Sequence, residues 1–232
     1  KKTKAIILVH FSGLACNMNP ILKIAKKYKI KVIEDCAHAI EGKYYNKHLG
    51  KFGETGCFSF YATKNLTTGE GGMLITNKKK IADRINIMRL HGMTKDAWKR
   101  HLPLAVTNKN KFEHYDVTEL GLKYNMIDIN ASIGLVQLKK IEKNWKIRKS
   151  IYEYYFKKLK HLPIIFQKIN PYPVKHAFHL CVVRIDSSKT NKKRDHFIKF
   201  LEKNRISVGV HYRCVTDMSY YRKYLGWNNN TC

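Results

Sequence analysis

Residues 5–11, AIILVHF, form an apolar run rich in β-branched and long aliphatic side chains, which predicts a fully buried strand. After Asn19, NPILKIAKKYKI carries helical spacing with Pro20 in the first turn, where a missing N–H costs nothing. KVIED, residues 31–35, returns to strand. Strand, helix and strand within about 30 residues make a βαβ unit, which requires a parallel sheet and a right-handed crossover. Ligand sites in such sheets lie at the carboxyl ends of the strands, and Asp35 falls at one of those ends. GCFSFY and GGMLITN predict two further strands, and the segment joining them holds Lys64 and then Gly69, Gly71 and Gly72. Those glycines keep the backbone thin enough for a ligand to approach. Asp35 and Lys64 are therefore expected to face one crevice.

From Lys78 to Leu90, Ile81, Ile85 and Met88 follow helical spacing, and Gly92 marks the stop. A polar loop is expected from about 94 to 119. It leads into a long helical stretch from Met126, with a break near Asn144 and an apolar stripe read as core. After Pro163 the texture changes to a strand FHLCVVRID, a helix KRDHFIKFLEK and a strand ISVGVHY. This divides the chain into a larger α/β part, 1–160, and a smaller α+β part, 161–232. The chain begins directly in a strand and ends with the second part unfinished, so a piece of a longer protein is expected.

With 44% apolar and 12% aromatic residues, the chain can build a real core. Lys and Arg outnumber Asp and Glu by 45 to 17, a net charge of +28. Nucleic-acid binders concentrate such charge in a patch interleaved with aromatics. Here it is scattered over helix faces and turns, so it reads as compositional bias that would favour an anionic substrate, and a nucleic-acid partner is not expected. No apolar run reaches membrane-spanning length and no signal peptide precedes the first strand, so neither a membrane partner nor secretion is expected. The six cysteines form no CxxC pair and mostly sit in apolar surroundings, as reduced thiols of a cytoplasmic protein would.

Lys64 is either a nucleophile or one more solvated lysine. A strand-end acid and a lysine in one crevice, with glycines and a hydroxyl between them, are what pyridoxal 5'-phosphate (PLP) needs. Its aldehyde takes a lysine, its pyridinium nitrogen a carboxylate, and its phosphate hydroxyls and backbone N–H groups. Asp35, Ser59 and Lys64 match in kind. Taken singly, Asp35 also reads as a cap or ion-pair partner, Ser59 as a turn hydroxyl and His38 as a core histidine. The sequence DCAH suggests a metal site through Asp35, Cys36 and His38, but strand alternation splits these side chains between faces and no second ligand cluster follows, so no metal is expected.

The stretch VIEDCAHAIEGKYYNKHLGKFGETGCFSFYATKNLTTGEGGML resembles the core of the DegT/DnrJ/EryC1/StrS aminotransferases, which aminate nucleotide-linked keto-sugars. AIILVHFSGLACNMNPI, RLHGM, GLKYNMIDINASIGLVQL, HAFHLCVVRI and RISVGVHY are similar to further family segments, so the resemblance spans nearly the whole chain. It implies the PLP-dependent fold type I, aspartate aminotransferase-like, with a mixed and mostly parallel sheet and a smaller α+β domain. The larger part would hold the cofactor and the subunit-contact helix. Asp35 becomes the partner of the pyridinium nitrogen, His38 the group beside the phenolic oxygen, Ser59 a phosphate ligand and Lys64 the lysine that binds the aldehyde. Many members carry Asn-aromatic-Arg where this chain has Lys123, Tyr124 and Asn125, which leaves Lys123 and Asn125 as candidates for a phosphate contact from a neighbouring subunit. His211 and Tyr212 are placed towards substrate. The family's amino-terminal third, with its phosphate turn and ring-stacking residue, and its carboxyl-terminal tail have no counterpart here.

The resemblance further implies a homodimer with shared sites, L-glutamate as amino donor and a nucleotide-sugar as acceptor. TTGEGG after the lysine is similar to members that aminate C4 of a 4-keto-6-deoxy sugar. The alternatives are amination at C3, or a basic regulatory or nucleic-acid-binding relative that keeps the fold without the chemistry. Sugar dehydratases of the same fold replace the lysine with histidine, and Lys64 argues against that reading.

Overall fold

Four strands build the sheet that carries Asp35 and Ser59. In the computed structural model, which describes residues 2–94, 116–169 and 172–228, β1 (Ala5–Val9), β2 (Lys31–Asp35), β5 (Thr55–Ser59) and β6 (Gly72–Ile75) lie side by side in that order. The first three run parallel and β6 is antiparallel to β5. Between β1 and β2 runs α1 (Met18–Tyr28), with Asn17 before it and Pro20 in its first turn. It ends at Lys29, whose left-handed backbone (φ 53°) returns its N–H to the last turn. Met18 and Ala25 of α1 are buried, as are Leu8 and Val32 of the first two strands, in one core with Cys36, Tyr44 and Leu49.

The register decides which side chains share a face. Val9 pairs with Asp35, Asp35 with Cys57, and Ser59 lies two residues beyond Cys57, so alternation puts all four on one face. Leu8, Val32 and Glu34 point to the other face and are buried. On the Asp35 face Ile7 is 68% exposed and Val9 44%. The expectation that this strand is fully buried is therefore corrected. Its sequence is apolar on both faces, but the described residues cover only one. Burying an Ile or Val is worth roughly 1.5–3 kcal/mol, so two such open positions are a real stabilising contribution forgone.

Glu34 occupies the covered face as a charged core residue, with its side chain wholly buried. His10 Nε2 donates to it at 3.1 Å, and the N–H groups of Gly50, Phe52 and Gly53 each donate at 2.7 Å. Burial pushes the carboxyl's pKa up, but these four donors outweigh it and hold it below the usual value. A buried carboxylate thus clips the loop after β3 (Lys43–Tyr44) and β4 (Lys47–His48) onto β2.

Beyond β6, α2 (Lys79–Met88) is followed by α3 (Asp128–Leu159). The polar loop expected at 94–119 lies largely outside the described residues. The break expected near Asn144 is absent, and α3 runs through it as one helix of 32 residues. The stripe read as core also differs from expectation. Ile129, Ile133, Leu135, Val136 and Leu138 are exposed, and Tyr152 is the buried residue of the helix. The carboxyl-terminal half packs instead on residues 166–182. Tyr152 lies edge-on to Phe166 and tilted against Phe178, and Trp145 Nε1 donates to the His176 carbonyl at 2.8 Å.

The chain forms two compact units, 1–160 with 166–182, and 161–165 with 183–232. The first therefore extends past the change of texture after Pro163, because 166–182 is held within it. β8 (Val174–Lys175) pairs with β3, Ala177 N–H donates to Gly13 O at 2.9 Å, and His179 N–H donates to Ser12 O at 3.0 Å. That use of 177–179 shortens the expected strand FHLCVVRID to β9 (Val183–Ile185), which pairs with β7 (Ile164–Phe166). In the second unit α4 (Arg194–Lys203) forms where expected and α5 (Ser219–Leu225) follows. ISVGVHY forms no strand among the described residues. Ile206 N–H instead closes the end of α4 on Leu201 O. Among the described residues no helix is long and apolar enough to cross a membrane.

Candidate active site

Asp35 closes β2 at its carboxyl end, half-buried. Ala37 N–H donates to Oδ1 at 2.9 Å, and Oδ2 has no hydrogen-bond partner among the described residues. A half-buried carboxylate oxygen left without a donor suits a cationic N–H group. Ser59 ends the neighbouring strand on the same face. Its Oγ accepts the Tyr61 N–H at 3.3 Å, which leaves the hydroxyl proton to donate elsewhere.

Lys64 sits in the turn after β5, where its N–H donates to Tyr61 O at 2.9 Å. The turn belongs to a longer excursion closed at both ends by one residue. Phe60 N–H donates to Gly71 O at 2.8 Å, and Phe60 O accepts the Thr68 N–H at 2.9 Å. Gly71 has no room for a side chain, because a Cβ there would lie 2.4 Å from Thr68 Oγ1 and 2.9 Å from Met126 Cε. Gly69 has φ +79° and open space around it. Lys64 Nζ has neither a hydrogen bond nor an ion pair among the described residues, so no neighbour holds its amine.

His38 is buried beside this turn. Ser12 N–H donates to its Nδ1 at 3.2 Å, so the proton of the neutral ring sits on Nε2. His179 lies against it, with ring centroids 4.3 Å apart and planes 30° from parallel. The residue after Lys64, Asn65, bonds His179, Glu41 and Ala177 O. Sequence reasoning missed Asn65, His179 and Glu41. Adjacency to Lys64 was the one signal for Asn65, and the separations of 24 and 114 residues left none for its partners.

Lys123 and Asn125 lie in the segment leading to α3, where Lys123 Nζ donates to Asn125 Oδ1. Asn125 is not the helix cap; Ile127 holds that position, with no side-chain capping bond. The start of α3 reaches the glycine loop of its own chain, since Asn130 Nδ2 donates to Glu70 O at 2.9 Å. His211 and Tyr212 are exposed residues of the second unit, their rings edge-on at 4.7 Å.

A cluster of metal-ligand types does occur beside the DCAH stretch, sharing its Cys36, although no metal is expected from the sequence. Donor atoms of His10, Glu34 and Cys36, all buried, lie within 4.8 Å of one another. They are already committed. Glu34 takes its four donors, His10 Nδ1 accepts the Cys16 N–H at 3.1 Å, and burial pushes the Cys36 thiol far up. Five cysteines among the described residues are free thiols, and Cys181 and Cys214 are exposed rather than apolar core.

The chain matches the DegT/DnrJ/EryC1/StrS aminotransferase family over residues 1–232. It is 44% identical over 227 residues to the uncharacterized protein MJ1066 of Methanocaldococcus jannaschii, covering 98% of this chain and 57% of that protein. It is 38% identical to the spore coat polysaccharide biosynthesis protein SpsC of Bacillus subtilis, covering 97% and 57%. Among solved structures it resembles the PMP form of the putative sugar aminotransferase Spr1654 from Streptococcus pneumoniae, with TM-score 0.85, 29% identity and coverage of 98% and 60%. It also resembles Helicobacter pylori PseC, an aminotransferase involved in the biosynthesis of pseudoaminic acid, with TM-score 0.83, 26% identity and coverage of 97% and 57%. The chain thus spans less than two thirds of these relatives and carries their type I fold along nearly its own whole length. It belongs to the DegT/DnrJ/EryC1/StrS aminotransferase family.

Proposed function

We propose that the full-length protein is a PLP-dependent aminotransferase that moves the amino group of L-glutamate to a nucleotide-linked 4-keto-6-deoxy sugar, giving a 4-amino sugar for glycan biosynthesis. The observation that carries this reading is the uncommitted Lys64 amine in the turn leaving the strand neighbour of Asp35, in a chain of this family. Bound PLP supplies an electron sink that acidifies the carbon bearing the transferred amine.

The residues of the chain do the rest. Asp35 Oδ2 would accept a hydrogen bond from the protonated ring nitrogen, and Ser59 Oγ would donate to the phosphate. His38 holds its proton on Nε2 and so is a donor suited to a phenolate oxygen. Lys64 would hold the aldehyde, and its Nζ is the base that would move the proton at the donor's α-carbon. The donor would leave as its 2-keto acid with a keto oxygen taken from water, and the acceptor's carbonyl oxygen would be returned as water, so no net water is consumed. We assign the C4 position from TTGEGG alone, the protein to the cytoplasm, and the working state to a homodimer in which Lys123 or Asn125 reaches the partner's phosphate site.

In the full-length protein, Lys64→Ala should lose both amino transfer and the borohydride-fixed attachment of PLP. A PLP label that survives in this variant overturns the assignment of Lys64. A donor other than glutamate in the first half-reaction, or an amine found at C3 by NMR, overturns the donor or the position.

A further inference from the structure

Asn65 follows Lys64 directly, and its side chain joins three distant segments. Its Nδ2 lies 2.9 Å from Glu41 Oε2 and 2.9 Å from the Ala177 carbonyl oxygen. A carbonyl can only accept, so this atom is the amide NH2, and Oδ1 is the face turned to His179. Oδ1 lies 2.9 Å from His179 Nδ1. An acceptor there requires a donor opposite, so His179 carries its proton on Nδ1. The neighbouring ring has the opposite tautomer, because Ser12 N–H occupies His38 Nδ1.

The far side of the network is equally fixed. Glu41 is 3% exposed, and its other oxygen accepts from Arg148 of α3. The ionisable groups around the Asn65 amide are His179, His38, Glu41 and Arg148, with Lys175 also acting on Glu41, and the amide satisfies the first and third without adding a charge of its own. A carboxylate at 65 would face Glu41 and would draw a second proton onto His179, against the His38 ring. A leucine would remove the donor to Glu41 and Ala177 O and the acceptor for His179 Nδ1.

We propose that Asn65 is a positioning residue for the Lys64 site: it anchors the turn that carries Lys64 and fixes His179 as the Nδ1–H tautomer beneath His38. The inference rests on the reading of Lys64 and His38 as cofactor-holding residues. Its geometric core, the paired tautomers, belongs to the chain with or without cofactor.

Two measurements on the full-length protein test it. Neutron diffraction from crystals exchanged into D2O, without added PLP, should show deuterium on His179 Nδ1 and on His38 Nε2. Deuterium on His179 Nε2 alone overturns the proposal, whatever becomes of Lys64. Kinetics of Asn65→Leu and Asn65→Asp form the second arm. Asn65→Leu should lower kcat tenfold or more, roughly the effect of misplacing a catalytic group, with KM for the amino donor changed less than about threefold. Asn65→Asp keeps the acceptor for His179 Nδ1 but sets a carboxylate against Glu41, so it should shift the pH profile of kcat relative to wild type. A wild-type kcat in Asn65→Leu, or an unshifted pH profile in Asn65→Asp, overturns the positioning role. Borohydride labelling of Lys64 in the same variants separates the two readings, since it persists when only Asn65 positioning is lost and is absent from wild type if Lys64 is not the attachment site.

Discussion

Glu34 and Asp35 are adjacent acids with opposite fates, and alternation along β2 separates them. Glu34 turns to the covered face, where four donors saturate it, whereas Asp35 ends the strand with one oxygen uncommitted. The same separation of structural from functional groups holds for the histidines. His176 is 4% exposed and stacked on Phe178 at 4.5 Å. Phe178 N–H donates to its Nδ1 at 2.8 Å, while Nε2 is buried without a hydrogen bond among the described residues. Burial pushes this imidazole down to about 4. A histidine held below its unfolded value binds its proton more readily in the unfolded chain, so it adds nothing to the pH dependence above about 6.5 and destabilises as pH falls from there through 4. Protonation linkage puts the loss at about 3 kcal/mol on reaching pH 4. His176→Asn keeps an acceptor for Phe178 N–H but does not titrate. Denaturant unfolding of the full-length protein at several pH values should therefore lose stability less steeply in this variant between 6.5 and 4. Parallel curves for variant and wild type would show that His176 is not the group responsible.

At the scale of elements, α3 carries two different surfaces on one rod. Its amino-terminal half is apolar and exposed, while its carboxyl-terminal half is engaged through Trp145, Arg148 and Tyr152. A break at Asn144 would disconnect the halves, and asparagine is a weak helix former. The helix continues because Trp145 and Arg148, one turn apart, are both fixed by tertiary contacts that propensity does not register. Asn144→Pro should accordingly cost about 3 kcal/mol or more of unfolding free energy in the full-length protein. Asn144→Ala should leave stability unchanged or raise it by about 0.5 kcal/mol. A tolerated proline would place a break where the structure has none.

At the scale of the whole molecule, the stripe on α3 and the face around Ile7 and Val9 leave large apolar side chains exposed. The proposed homodimer would cover the first. Subunit exchange between full-length Lys64→Ala and the double variant Lys123→Ala, Asn125→Ala tests whether sites are shared. A shared site gives each mixed dimer one intact site and partial activity, whereas contacts from the same chain leave every site defective and the mixture inactive. The βαβ unit, Asp35 at the end of β2 and the turn with Lys64 were legible in the sequence, because each rests on periodicity or turn chemistry within a few residues. The face that Ile7 and Val9 present, the continuity of α3 and the return of 166–182 to the first unit were not. These depend on what packs against each element, and an apolar run reads the same whether or not a neighbour covers it. Nor could local pattern reveal that Asn65 meets Glu41, Ala177 and His179, since that amide is oriented by acceptors that come together only when the sheet, the 177–179 segment and α3 are in place. Sequence supplied the lysine and the acid; tertiary structure alone decided which buried groups surround them and where those groups hold their protons.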